Sequence, residues 1–302
     1  GRFLSTLEWH PNSRAFDGWS FNLNLEPGNL TGIAFLVGDS SNTAVKDHAM
    51  LSGLHYSHQA TPDIVVEAYG FYDRSRRASA YAGDAASNYD LIYFGERVAG
   101  KIGIFTFEEE FILQTGEMAM AGGDRDNPAF QLGTRAGIAL GANKLTLGLD
   151  IMSGDDDPAD DRIGTYRANY YFAHALYGWM DYFTGNPRYG VMDFRVDADI
   201  GLFPGAAGTP RVTLKPQYHF FAPHAAPSGA DDPYGQEIDL EAHIALFPKS
   251  NIVLGAGVFL PGGNAYLLPA ASQSYGPTAA RLAPGGGSEP GYFFYFMPTF
   301  NF

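Results

Sequence analysis

The 302-residue sequence predicts an all-β protein, a closed antiparallel transmembrane β-barrel, on three observations. Segments of about ten residues alternate apolar and polar side chains with period two, as half-buried strands do. The connections alternate between tight turns and long loops, the layout of outer-membrane barrels. The final segment, Gly291 to Phe302, is aromatic and ends on Phe, with Phe294, Phe296, Phe300 and Phe302 sharing one parity.

Taken in order, fourteen segments carry the strand signature: 2–9, 19–25, 30–38, 48–58, 63–73, 89–98, 103–115, 130–140, 145–151, 191–202, 212–220, 237–246, 251–260 and 291–302. The clearest is 191–202, with Met192, Phe194, Val196, Ala198, Ile200 and Leu202 on one face and Asp193, Arg195, Asp197 and Asp199 on the other. The next two segments repeat it. Val212, Leu214, Tyr218 and Phe220 oppose Arg211, Thr213, Lys215, Gln217 and His219, and Ile238, Leu240 and Ile244 oppose Glu237, Asp239, Glu241 and His243. Tight turns are expected at 26–29, 59–62, 99–101, 141–143 and 248–250, where Gly, Pro or Asn supplies the required backbone angles. Long connections are expected at 74–88, 116–128, 153–189, 222–235 and 261–290.

A soluble sandwich also alternates, with its apolar face inward. Two features oppose that reading. Rows of charge recur on neighbouring strands, and the aromatic C-terminal segment would be an aggregation-prone edge in water. In hydrocarbon every backbone N–H and C=O must be paired, so a lipid-facing sheet closes on itself and places its charged face around a lumen. The whole chain, 1–302, then reads as one outer-membrane barrel domain. Its C-terminus and short turns are expected in the periplasm, and its long loops, 153–189 above all, outside the cell.

Composition agrees. Charged residues are 17% of the chain, against about 25% in an average protein, and aromatics are 15%. That is too aromatic for disorder. With 33 acidic and 19 basic residues the net charge is −14, which repels phosphates and excludes nucleic acid as a partner. There is no cysteine, hence no disulfide and no thiolate chemistry. The longest uncharged stretch, Asn251 to Ala280, is interrupted by Gly255, Gly257, Pro261, Gly262, Gly263 and Pro269, so it is not an apolar helix of about 20 residues. No signal peptide is visible at Gly1-Arg2-Phe3-Leu4; either it has been removed or the sequence starts inside a larger protein.

Strand parity nominates the lumen residues. The bases are Arg97, Arg135, Arg195, Arg211 and Lys215; the acids are Glu67, Glu110, Asp150, Asp193, Asp197, Asp199, Glu237, Asp239 and Glu241. Opposite charges on adjacent strands can form a supporting ladder, or a constriction whose field selects solutes. Parity puts Glu96 and Glu109 on the lipid face, where charge is costly. In the 153–189 loop, Asp155, Asp156 and Asp157, followed by Asp160 and Asp161, make calcium the candidate cation, against the plainer reading of Asp side chains capping turns. His219 and His243 lack a third ligand by spacing. No catalytic motif is present, and the chain is expected not to be an enzyme.

Several motifs resemble the alginate-export family of outer-membrane porins. They are Arg14-Ala15-Phe16-Asp17-Gly18, Gly95-Glu96-Arg97-Val98-Ala99-Gly100-Lys101, and Ser153-Gly154-Asp155-Asp156-Asp157-Pro158 followed by Gly164-Thr165-Tyr166 and Tyr177-Gly178-Trp179-Met180-Asp181. The resemblance implies passive transport through a charged lumen, outer-membrane lipid as surroundings and the barrel assembly machinery as a partner that reads the terminal Phe. It also implies eighteen strands. Fourteen are countable, so the chain is either a smaller barrel or the C-terminal part of such a barrel. The family's polyuronate substrate calls for a basic lumen, and nine acids against five bases do not supply one. The expected function is a channel for small or polymeric, charged or neutral solutes. The alternatives are a barrel used as a scaffold or sleeve within a larger outer-membrane assembly, with a protein partner inside, and a barrel-embedded lipid hydrolase, for which no Ser–His–acid constellation is visible.

Overall fold

The structure is a computed structural model describing residues 2–5, 16–36, 49–76, 88–120, 123–157, 159–171, 173–183, 187–205, 210–226, 229–247, 250–265, 268 and 289–300. It is an antiparallel sheet of fourteen strands: β1 Asp17–Leu25, β2 Gly28–Leu36, β3 Ala49–Thr61, β4 Ile64–Arg76, β5 Asn88–Ile102, β6 Phe105–Met120, β7 Gly123–Asp126, β8 Ala129–Leu140, β9 Asn143–Met152, β10 Val191–Pro204, β11 Pro210–Ala222, β12 Gly235–Phe247, β13 Ser250–Pro261 and β14 Gly291–Phe300. Every long strand pairs with the next one in sequence; β7 is a short ribbon paired to β6 alone. A short helix, α1 (Ala173–Leu176), lies in the loop between β9 and β10. Among the described residues no helix is long and apolar enough to cross a membrane.

The count matches the expected fourteen, but its members differ. Residues 2–5, expected to begin a strand, lie off the sheet, and β7 falls inside the expected 116–128 loop. The expected turn at 99–101 is strand; the reversal comes at 103–104, where Gly103 supplies φ +62. Phe302 and the side chain of Phe300 fall outside the described positions.

Alternation decides the two faces. One presents apolar side chains to the exterior, including Trp19, Phe94, Leu147, Phe194, Leu240 and Phe296. On the other, here the inner face, side chains are buried although many are charged. Burial is unevenly distributed along the strands. At the long-loop end, Leu51, Tyr93, Met152, Val191, Phe221 and Phe259 are sealed under aromatics of the 153–190 loop. Toward the short-turn end, Asp199, Lys215, Glu241 and His243 are only partly covered. β1 and β14 each have one sheet neighbour, and among the described residues no ladder joins them.

Candidate solute-contacting face

Two in-register rungs of polar side chains run across the inner wall. Pairing places Glu67 (β4), Arg97 (β5), Glu110 (β6), Gly133 (β8), Asp150 (β9) and Asp193 (β10) side by side. One step toward the short-turn end, Glu108, Arg135, Gly148, Arg195, His219 and Glu237 form the second. A third rung brings Asp197, Gln217 and Asp239 together. This belt spans β4 to β12 and gathers most of the nominated residues.

The glycines make room for it. A Cβ at Gly148 would stand 2.7 Å from Cγ of Arg195, and one at Gly257 2.4 Å from Oδ1 of Asp239. Small residues on the inner face therefore let long or charged side chains lie flat on the backbone.

Charges in the belt are paired wherever a base is within reach. Arg97 bonds Glu67, and a second Arg97 nitrogen lies 3.5 Å from Glu108. Arg135 is 3.5 Å from Asp150. Arg195 holds Asp197 at 2.6 Å, and His219 Nδ1 lies 2.8 Å from Asp193. Lys215 is 3.6 Å from Asp199, and His243 is 2.7 Å from Glu241. The expected ladder is thus present in part, but Arg195 pairs along its own strand. Arg211 is exposed beside the β10–β11 turn. Glu96 and Glu109 stay on the apolar face, as parity placed them, on neighbouring strands opposite Phe111 and Val98.

Glu237 and Asp239, read from the sequence as ladder acids, are buried beneath the loop. The Met180 N–H donates to Glu237 Oε1 at 2.9 Å. Other wall residues hold the loop in the same way. Arg195 donates to the carbonyls of Ala175 and Leu176 at 3.2 and 3.1 Å, which satisfies free C=O groups of α1. Gln131 donates to the Tyr177 hydroxyl at 3.0 Å, Gln114 accepts from the Arg167 N–H at 2.8 Å, and Asp73 accepts from Asn169 and Tyr170 at 2.9 and 2.8 Å. The loop therefore crosses the inner face from β4 to β12. Its aromatics pack on the wall, Tyr182 on Phe259 at 4.2 Å between ring centroids and Phe183 on Phe221 at 4.4 Å.

The acidic start of this loop is built from turns. Asp155 accepts from the Asp157 N–H, Asp157 from Ala159 and Asp160 from Arg162, and Asp155 lies 3.6 Å from Arg188. Burial raises the Asp155 carboxyl above its ordinary pKa, against the pull of Arg188. Asp156 is exposed. Among the described residues no three His, Asp or Glu side chains converge as a metal site would require.

Parity missed two participants. Glu108 shares the parity of Glu110 and could have been found with it. Arg2, whose guanidinium meets Asp150 at 2.6 Å, falls in the expected strand 2–9 but was not nominated, and the structure places it off the sheet.

The fold has solved relatives in Pseudomonas aeruginosa. OccK10 (OpdN) matches with a TM-score of 0.56 at 14% identity, covering 87% of this chain and 72% of that one. OccK11 (OpdR) matches with 0.52 at 15%, covering 95% and 71%. OccK3 (OpdO) matches with 0.53 at 14%, covering 82% of this chain, which spans 65% of that protein. At such identities the likeness is one of fold. No curated protein matches the sequence. The family described as alginate export matches over residues 1–274, and the chain belongs to this family of outer-membrane β-barrel porins.

Proposed function

We propose that this chain lines an outer-membrane channel that passes small hydrophilic solutes, with a weak preference for cations over anions. The observation that carries the proposal is the two-faced wall, with a buried, in-register belt of charge on one side and an apolar exterior on the other. The exterior suits lipid, and the partly exposed members of the belt, Glu67, Arg97, Glu108, Arg135 and Asp197, supply polar partners that a hydrated solute can exchange for water. In a membrane the free edges of β1 and β14 must be paired, with one another or with further strands. The short turns face the periplasm and the long loops the outside, and the barrel assembly machinery acts on the aromatic β14.

Selectivity follows from the belt. Its acids are Glu67, Glu108, Glu110, Asp150, Asp193, Asp197, Glu237 and Asp239; its bases are Arg2, Arg97, Arg135 and Arg195, which is eight against four. Such a surplus favours cations where low-dielectric walls confine the field, and salt screens it. A polyanionic uronate polymer would meet net repulsion here. The test is the reversal potential of the protein in a planar bilayer under a KCl gradient. The proposal expects a small cation-selective value at low salt that fades at high salt. Absence of any current would favour a scaffold or sleeve, and anion selectivity would restore a polyuronate as the solute.

A further inference from the structure

Arg2 enters the belt from outside the sheet. Its side chain is 1% exposed, and its guanidinium meets Asp150 through Nε at 2.6 Å and Glu108 through Nη1 at 2.7 Å. Its backbone N–H donates to Glu110 at 2.8 Å. The three acids stand on β6 and β9, with β8 between them and Gly133 directly beneath Arg2. A Cβ at Gly133 would lie 1.8 Å from Arg2 Nε, so the socket exists only because that rung position is glycine. The next residues continue the seat. Phe3 stacks on Phe71 with ring centroids 4.9 Å apart, and the Ser5 N–H donates to the Tyr170 carbonyl at 2.8 Å.

We infer that Arg2 is a selectivity-determining residue, carried into the belt by residues 2–5, a strap that docks in an acidic socket of Glu108, Glu110 and Asp150 and narrows the path beside it. This rests on the channel reading above. Three acids lie within reach of one guanidinium, and Arg2 offsets their charge. Without that charge the socket attracts a cation from the solute stream instead. The packing of Phe3 and the Ser5–Tyr170 bond tie the strap to the 153–190 loop, so the two segments narrow the interior together.

The experiment compares wild type, Arg2→Gln, Arg2→Lys and the double variant Arg2→Gln with Glu110→Gln. One unit charge at such a site changes the cation-to-anion permeability ratio roughly fivefold at low salt. Arg2→Gln is expected to move the ratio toward cations by about that factor and to raise conductance. Arg2→Lys is expected to stay near wild type in selectivity, and the double variant to return toward it. A second readout does not depend on conduction. The chain has no cysteine, so Leu4→Cys gives a single labelling site. A membrane-impermeant maleimide is expected to label it slowly in the otherwise wild-type protein and rapidly when Arg2→Gln is added. An unchanged reversal potential in Arg2→Gln overturns the assignment of selectivity. Fast labelling of Leu4→Cys without Arg2→Gln overturns the strap, whatever the fate of the second variant. A non-conducting wild type with a protected Leu4→Cys leaves the strap standing and removes the channel.

Discussion

Glu237→Ala should release the 153–190 loop from the wall and open the channel. Glu237 is buried and accepts the Met180 N–H at 2.9 Å. Removing the acceptor strands a buried N–H donor, at a cost of about 1–3 kcal/mol. The populations of docked and released loop should then shift about 5- to 150-fold toward release. A competing effect runs the other way, since Asp239, also buried, is on the same strand face, and losing one of two neighbouring acids relieves repulsion. Glu237→Gln separates the two, because its amide oxygen still accepts from Met180 while the charge is gone. Single-channel recording should show Glu237→Ala switching to a larger conductance for much of the time and Glu237→Gln remaining close to wild type. Gly178→Ala should resemble Glu237→Ala, because Gly178 has φ +84 and an added Cβ would meet the Glu237 carboxylate at 2.6 Å. Identical traces from Glu237→Ala and wild type would refute the clamp, and identical increases from Ala and Gln would show that charge relief dominates.

Three further outcomes are expected. Arg in place of Val196 or Leu240, mid-strand on the exposed face, should cost about 2–4 kcal/mol of membrane stability, whereas Arg at Thr213 or Gln217 should be tolerated; urea titration of the bilayer-inserted protein measures both. Gly148→Val should fail to assemble or lose its conductance, since a side chain there meets Arg195 at 2.7 Å; normal heat-modifiable migration with unchanged current would contradict that. Deleting Asp160 to His174 removes Tyr166, Tyr170 and Tyr171 from the interior and should raise conductance in planar bilayers, and an unchanged value would show that the path runs elsewhere.

Much of the wall was legible because period two is a local property. Asp193, Arg195 and Asp197 on β10 could be assigned to one face from their own segment alone, and the structure buries or half-buries all three. The belt was not legible, because a rung is set by register between strands. Nothing in β6 by itself says that Glu110 stands opposite Gly133 and, beyond it, Asp150. The socket glycines looked like ordinary small residues of a polar face. Residues 2–5 show the limit of alternation, since a peptide pinned between a charged wall and an aromatic core alternates as a strand does. Glu237 and Asp239 looked like ladder acids because their second role lies with a loop backbone that carries no sequence signal.

In the proposed channel the charged face borders the conducting path. This is tested most directly by single-channel recording of Gln217→Cys and Leu214→Cys, on opposite faces of β11 in a chain with no other cysteine. A charged, water-soluble methanethiosulfonate added during recording should change the current through Gln217→Cys in one step and leave Leu214→Cys unaffected. A step with Leu214→Cys and none with Gln217→Cys would place the path on the other face and contradict the account.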